Sequence, residues 1–174
     1  MHKKALIAGI GAIFCWSLMV GFLRLTTVNY GPELGIALIY TLGAAFLFLL
    51  DKPTPLKKIP RRYLLIGGVL FATYELFMAF AVGLAQDSFQ AIEVSILNYL
   101  WPTLTVLFWA VARKSGRASA LFRVIPGAVF ATAGIVLAVG GSSLLAGAPF
   151  FTGSLWPYLL AISASTICAV YSVA

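Results

Sequence analysis

Four side chains able to do chemistry stand in or beside runs of residues oily enough for a membrane: Glu75, Glu93, Asn98 and Arg24. A charge at the centre of a bilayer costs about 2.5–3.5 kcal/mol on insertion scales, so such residues normally face a protein interior and mark a pathway. Glu75 lies near the middle of "FATYELFMAF", where Tyr74 and Met78, four apart, share a helical face beside it. Glu93 lies nearer the end of its own run, where water is closer. Arg24, also near an end, is a candidate partner for either carboxylate. Two readings of this set stand: an ion pair that pins helices together, or groups that meet a substrate or a proton.

The stretch "EVSILNYLWPTL", residues 93–104, concentrates the problem, because glutamate, asparagine and proline are all disfavoured in hydrocarbon. On a helix, Gln90, Val94, Asn98 and Trp101 fall on one stripe, spaced four, four and three. Pro102 has no N–H, and its ring crowds the carbonyl of Asn98, four residues back. That carbonyl then needs another donor, and a bend is expected near mid-span. Pro102 reads as a hinge or as a fixed kink.

Other chemistries are poorly supplied. The one histidine, His2, sits in the charged N-terminal tail, so no histidine-based metal or catalytic cluster exists. Cys15 and Cys168 lie inside apolar runs and read as packing residues. No phosphate-cradling glycine loop occurs. Gly67, Gly68, Gly127, Gly134, Gly140 and Gly141 suit close helix packing, with Gly134 and Ala138 as a small-xxx-small pair. Neither an enzyme nor a cofactor is expected.

The elements that position these groups follow from the solvent. Hydrophobic residues make up 61% of the 174-residue chain and charged residues only 10%, against about a quarter charged in a soluble domain. The bilayer is the solvent. Six apolar runs approach the roughly 20 residues a spanning helix needs: 5–23, 34–50, 63–85, 90–112, 124–145 and 155–174. Pro32 and Glu33 favour a helix start after "NYG", and Asp87 or Ser88 is expected to cap the fourth helix. The fold class is therefore an all-α integral membrane bundle with six transmembrane helices.

Eleven of the 12 lysines and arginines fall at one end of these runs, including Lys3, Lys4, Lys52, Lys57, Lys58, Arg61 and Arg62 before the third and Arg113, Lys114, Arg117 and Arg123 after the fourth. Only Arg24 lies at the other end. The net charge of +7 is thus a topology signal that places the N-terminus in the cytoplasm, and nucleic acid is not an expected partner. Trp156, Tyr158 and Tyr30 sit near the opposite ends as interface anchors. Deeper aromatics (Trp16, Tyr40, Tyr74, Tyr99, Trp101 and Tyr171) would, if several converge, make an apolar pocket suited to a flat organic molecule. The last run reaches Ala174 without a closing lysine or arginine, so truncation of a longer protein is expected over completion by another chain.

The segments "AIFCWSLMVGFLR" (12–24), "YELFMAFAVGLAQDSFQAIEVSILNYLWPTLTVLF" (74–108) and "PGAVFATAGIVLAVGG" (126–141) resemble the drug/metabolite transporter superfamily, EamA type. Within it the chain is similar to the YddG-type aromatic amino acid exporters, with "AIEV…NYLWP" as the specific motif. The resemblance implies a ten-helix transporter of two inverted five-helix repeats. Residues 1–150 would be the first repeat and 151–174 the start of the second. It also implies a bacterial inner-membrane location and export of aromatic amino acids and related amphiphiles by alternating access through a central cavity. A missing C-terminal repeat or a second copy would complete that cavity. Carried over by motif, its lining would be Trp16, Tyr74, Met78, Asn98, Tyr99 and Trp101, with Pro102 as hinge and Glu75 or Glu93 attracting the substrate ammonium. Two other classes remain: a proton-coupled multidrug or cation antiporter using Glu75, and a non-transporting membrane scaffold.

Overall fold

The computed structural model describes residues 2–50, 58–147, 151 and 153–173, so Lys52, Lys57 and much of the expected 146–154 connection lie outside the described residues. Seven helices are present among them: α1 (His2–Tyr30), α2 (Pro32–Leu50), α3 (Arg61–Gly83), α4 (Ser88–Asn98), α5 (Leu100–Ala112), α6 (Arg117–Ala146) and α7 (Trp156–Val173). With α4 and α5 taken as one span, six are long and apolar enough to cross a membrane. The chain is an all-α, multi-pass membrane protein.

The turns follow local chemistry. Gly31 adopts φ 81°, a backbone that side chains rarely accept, and folds α2 back on α1. Pro32 and Glu33 open α2, as expected from a proline that needs no donor and an acid at the positive helix end. Asp87 caps α4 by accepting from the Gln90 amide at 2.7 Å.

The fourth apolar run does not form one helix. α4 stops at Asn98, Tyr99 bridges with φ −66° and ψ 3°, and its N–H bonds the Ile96 carbonyl at 3.0 Å. Pro102 is then the third residue of α5, inside a first turn whose amides have no helical acceptor. The expected bend is present but begins before the proline. The physical reason is the ring's clash with the carbonyl four residues back, which releases the helix at Asn98. The stripe from Gln90 to Trp101 is accordingly interrupted: Gln90 and Val94 are buried, whereas Trp101 belongs to the next helix.

Packing concentrates on α7, which lies against α3, α5 and α4, while α1 and α2 form a hairpin against α3 and α6 flanks α5 and α4. Ala161, Ser165 and Ala169 recur every four residues along α7 and are fully buried. Small residues on one stripe let helix backbones approach closely in lipid, where packing replaces the hydrophobic drive. Ala79, Ala81 and Val82 are fully buried on α3. Gly134 and Ala138, expected to pack this way, face outward, and a Cβ on Gly134 would meet nothing within 4 Å. Their spacing fits a helix face but not the face that α6 presents to α5. Large apolar side chains such as Ile13, Phe46, Leu49, Phe122 and Phe130 stand exposed, as hydrocarbon solvent permits.

Candidate functional site

At mid-span, the helix break sets Asn98 against α3. Its Nδ2 donates to the Tyr74 hydroxyl at 3.2 Å. Its Oδ1 is buried and has no hydrogen-bond partner. A buried acceptor left unmade costs about 1–3 kcal/mol, so this atom is a natural landing point for a donor. Met78 is buried one turn beyond Tyr74, Tyr99 follows Asn98 and is 54% exposed, and Trp101 is half-buried on α5. Trp16 is 58% exposed on α1. Of the expected site residues, Tyr74 on α3 and Asn98 on α4 are thus in direct contact.

An aromatic chain surrounds this level. Phe71 meets Tyr40 edge-on at 6.1 Å between ring centroids, Tyr74 at 6.3 Å and Tyr171 at 5.9 Å. These separations suit tilted and edge contacts between aromatic quadrupoles. Three helices, α2, α3 and α7, are tied together by them. Of the deep aromatics, three (Tyr40, Tyr74 and Tyr171) therefore do converge, around Phe71 and not around Trp101.

Glu75 is buried between α2 and α3, where the Tyr40 hydroxyl interacts with its carboxylate. An open recess of about 330 Å³, lined by Ile36, Tyr40, Phe71 and Leu76, leads to it. Tyr40 was legible as a deep aromatic but not as the companion of Glu75, because the two come from different helices.

Arg24 is not held by a glutamate. Its Nη1 donates to the carbonyls of Val82 at 2.6 Å and Ala85 at 3.0 Å, at the end of α3. Helix C-terminal carbonyls carry partial negative charge and lack intrahelical donors, so a guanidinium there satisfies both needs. The α1–α2 turn is what brings Arg24 there: Pro32 lies so near Gly83 that a Cβ on the glycine would come within 2.7 Å.

Glu93 accepts a hydrogen bond from the Tyr158 hydroxyl, and both residues are almost wholly buried. Beside them Gln90 donates to the Ser154 carbonyl at 2.8 Å and accepts from the Gln86 amide at 2.8 Å. The start of α4 is thereby fastened to the start of α7. Tyr158 is not the exposed interface anchor expected from its position; it turns inward because a buried carboxylate needs a donor. Trp156, at 68% exposure, and Tyr30, at 59%, retain the expected anchor placement.

Among the described residues, no group of histidine, cysteine or acidic side chains is arranged to hold a metal ion. No protein-family model and no solved structure matches the chain. Two curated proteins do. Over 172 residues, 97% of this chain, it is 37% identical to the aromatic amino acid exporter YddG of Salmonella typhimurium strain 14028s, of which it covers 58%. Over 143 residues, 82% of this chain, it is 39% identical to the aromatic amino acid exporter YddG of Escherichia coli K12, of which it covers 47%. The chain spans about half the length of the curated relatives it matches. Along nearly all of its residues, this six-span chain is similar to two YddG aromatic amino acid exporters over about half of their length.

Proposed function

We propose that the chain forms one side of a pathway exporting aromatic amino acids and related amphiphilic metabolites from a bacterial cell. The observation that carries this reading is the buried Asn98 Oδ1, unmatched beside Tyr74 at a helix break, in a chain related to named exporters of such molecules. The substrate ammonium would donate to that oxygen while the ring lies against Tyr74, Tyr99 and Trp101, with Met78 behind. Trp16 would line the same cavity from the open face of α1. Residues 1–150 would act as one repeat, and the helices that complete the cavity would come from a second repeat or a second copy. The N-terminus would face the cytoplasm across the inner membrane, with the basic helix ends on that side.

Alternating access would use the Tyr99 break, where a helix already discontinuous can change angle without losing further backbone bonds, with Pro102 holding α5 at its start. Uptake of labelled phenylalanine into liposomes carrying the protein, with lysine and a lipophilic cation as comparison solutes, tests the reading. Selective phenylalanine movement is expected. Trp101→Ala should weaken aromatic substrates more than small ones; an equal loss for every solute counts against the assigned role. With Cys15 and Cys168 replaced, Asn98→Cys should react with a polar thiol reagent, which a sealed scaffold would not allow.

The burial of Glu75 with Tyr40, on a recess separate from Asn98, favours a second reading in which Glu75 couples transport of cations to protons. Under it, Glu75→Gln should abolish the response of transport to a pH gradient. Export that never responds to such a gradient would eliminate it.

A further inference from the structure

A groove follows the α5–α6 hairpin and has a charged end and an apolar end. The charged end is a recess of about 330 Å³ where Arg113, Arg123, Trp109 and Ser119 meet. Arg123 and Val124 continue into a second recess of about 360 Å³, lined by Pro102, Val106, Gly127 and Ala128. On α5 the lining residues Pro102, Val106 and Trp109 are spaced four and three, so they form one helical stripe, and Arg113 follows at the helix end. The two recesses are therefore one furrow along the helix pair.

Its chemistry is lopsided. Arg113 lies 4.9 Å from the centroid of the Trp109 ring, which holds the guanidinium at the mouth of the furrow. The described carboxylates, Glu33, Glu75, Asp87 and Glu93, all lie off the α5–α6 pair. Two guanidinium forks without a facing acid suit a phosphate, which they can grip through paired N–H groups. A tryptophan at the same level fits the headgroup boundary of a bilayer, where amphipathic rings gather. Beyond it the furrow turns apolar, and a Cβ on Gly127 would meet nothing within 4 Å. A free phosphate has no use for that second half.

The geometry points to a binding site for an anionic glycerophospholipid, its phosphate between Arg113 and Arg123 and one acyl chain along Val106 and Gly127. Basic clefts between membrane helices on the positively charged side are suited to such headgroups. The acyl chain would end against Pro102. An occupied furrow would therefore brace the first turn of α5, just beyond the break at Tyr99.

Tryptophan fluorescence tests the site, with the protein in phosphatidylcholine vesicles and brominated phosphatidylglycerol titrated in. Trp109→Phe identifies the share of quenching that comes from Trp109 among the four tryptophans. Brominated phosphatidylglycerol should half-quench Trp109 at a mole fraction roughly twenty-five-fold below that of brominated phosphatidylcholine, at about fivefold for each of the two arginines near the surface. Arg113→Gln with Arg123→Gln should bring the two lipids together. Gly127→Leu, which fills the furrow from a position with open space, should reduce quenching by both. Trp156, at the opposite end of the bundle, reports whether each variant still sits in the bilayer, and far-UV circular dichroism reports whether it is folded. Equal quenching by both lipids in the unaltered protein overturns the proposal, as does a preference that survives loss of both arginines. Displacement of the brominated lipid by inorganic phosphate would make the site one for a free anion. Trp109 out of reach of either lipid would mean the furrow is covered by protein.

Discussion

Replacing Tyr158 with phenylalanine removes one oxygen and tests how the two ends of the chain are joined. The hydroxyl donates to Glu93 Oε2, and the tyrosine is only 1% exposed while Glu93 is 2% exposed. Water cannot easily take the donor's place at that depth. A hydrogen bond to a charged partner contributes about 1.5–3 kcal/mol, whereas neutral side-chain bonds between membrane helices average about 0.6 kcal/mol. The lost bond serves a carboxylate buried at that depth, so the range for a charged partner applies and Tyr158→Phe should cost about 2 kcal/mol. Glu93→Gln keeps an acceptor carbonyl and should cost less, near 1 kcal/mol by the same comparison. Equilibrium unfolding of the wild type, both single variants and the double variant in mixed micelles gives the coupling directly. A coupling of about 1 kcal/mol or more is expected. If Tyr158→Phe costs no more than a phenylalanine at exposed Tyr30, and the coupling is near zero, the bracket between α4 and α7 is not a stabilising contact.

Four further substitutions follow, three that probe the outer turns and Gly43→Ala within α2 as their contrast. Gly83→Ala would press a Cβ to 2.7 Å from Pro32 Cγ and 3.2 Å from Thr27 Cβ, an overpacking worth about 1–3 kcal/mol by unfolding. Gly43→Ala, where nothing lies within 4 Å, should instead leave stability unchanged or raise it by up to about 1 kcal/mol through helix propensity. Asp87→Ala removes the cap that holds the Gln90 amide at 2.7 Å, and a loss of about 0.5–2 kcal/mol is expected, with Asn at this position largely restoring it. Arg24→Gln should loosen the end of α3, read as faster amide exchange at Leu84 and Gln86, because the Val82 and Ala85 carbonyls lose their guanidinium.

Composition settled much of this molecule in advance. With so little charge and so many apolar residues, only spanning helices satisfy the backbone in hydrocarbon, and glycine, proline and charge punctuation divide the chain into six spans. Local chemistry was equally legible: Pro32 and Glu33 open a helix, Asp87 caps one, and Pro102 forces a bend. The motif around residues 91–102 carries polar groups that lipid would otherwise exclude, and it was the specific part of the resemblance to the exporters.

Partnership was not legible. Arg24 could be read as a counter-ion for either glutamate, yet the α1–α2 turn delivers it to carbonyl oxygens at the end of α3. Tyr158 looked like an interface anchor because its position along the helix is visible in sequence and its rotation is not. Packing against α4 turns it toward Glu93. The same holds for Gly134 and Ala138, whose spacing marks a face without saying which neighbour it meets. Helical periodicity, read along one chain, fixes which residues share a face. Which face meets which helix depends on contacts between segments far apart in sequence, and only the tertiary structure decides that.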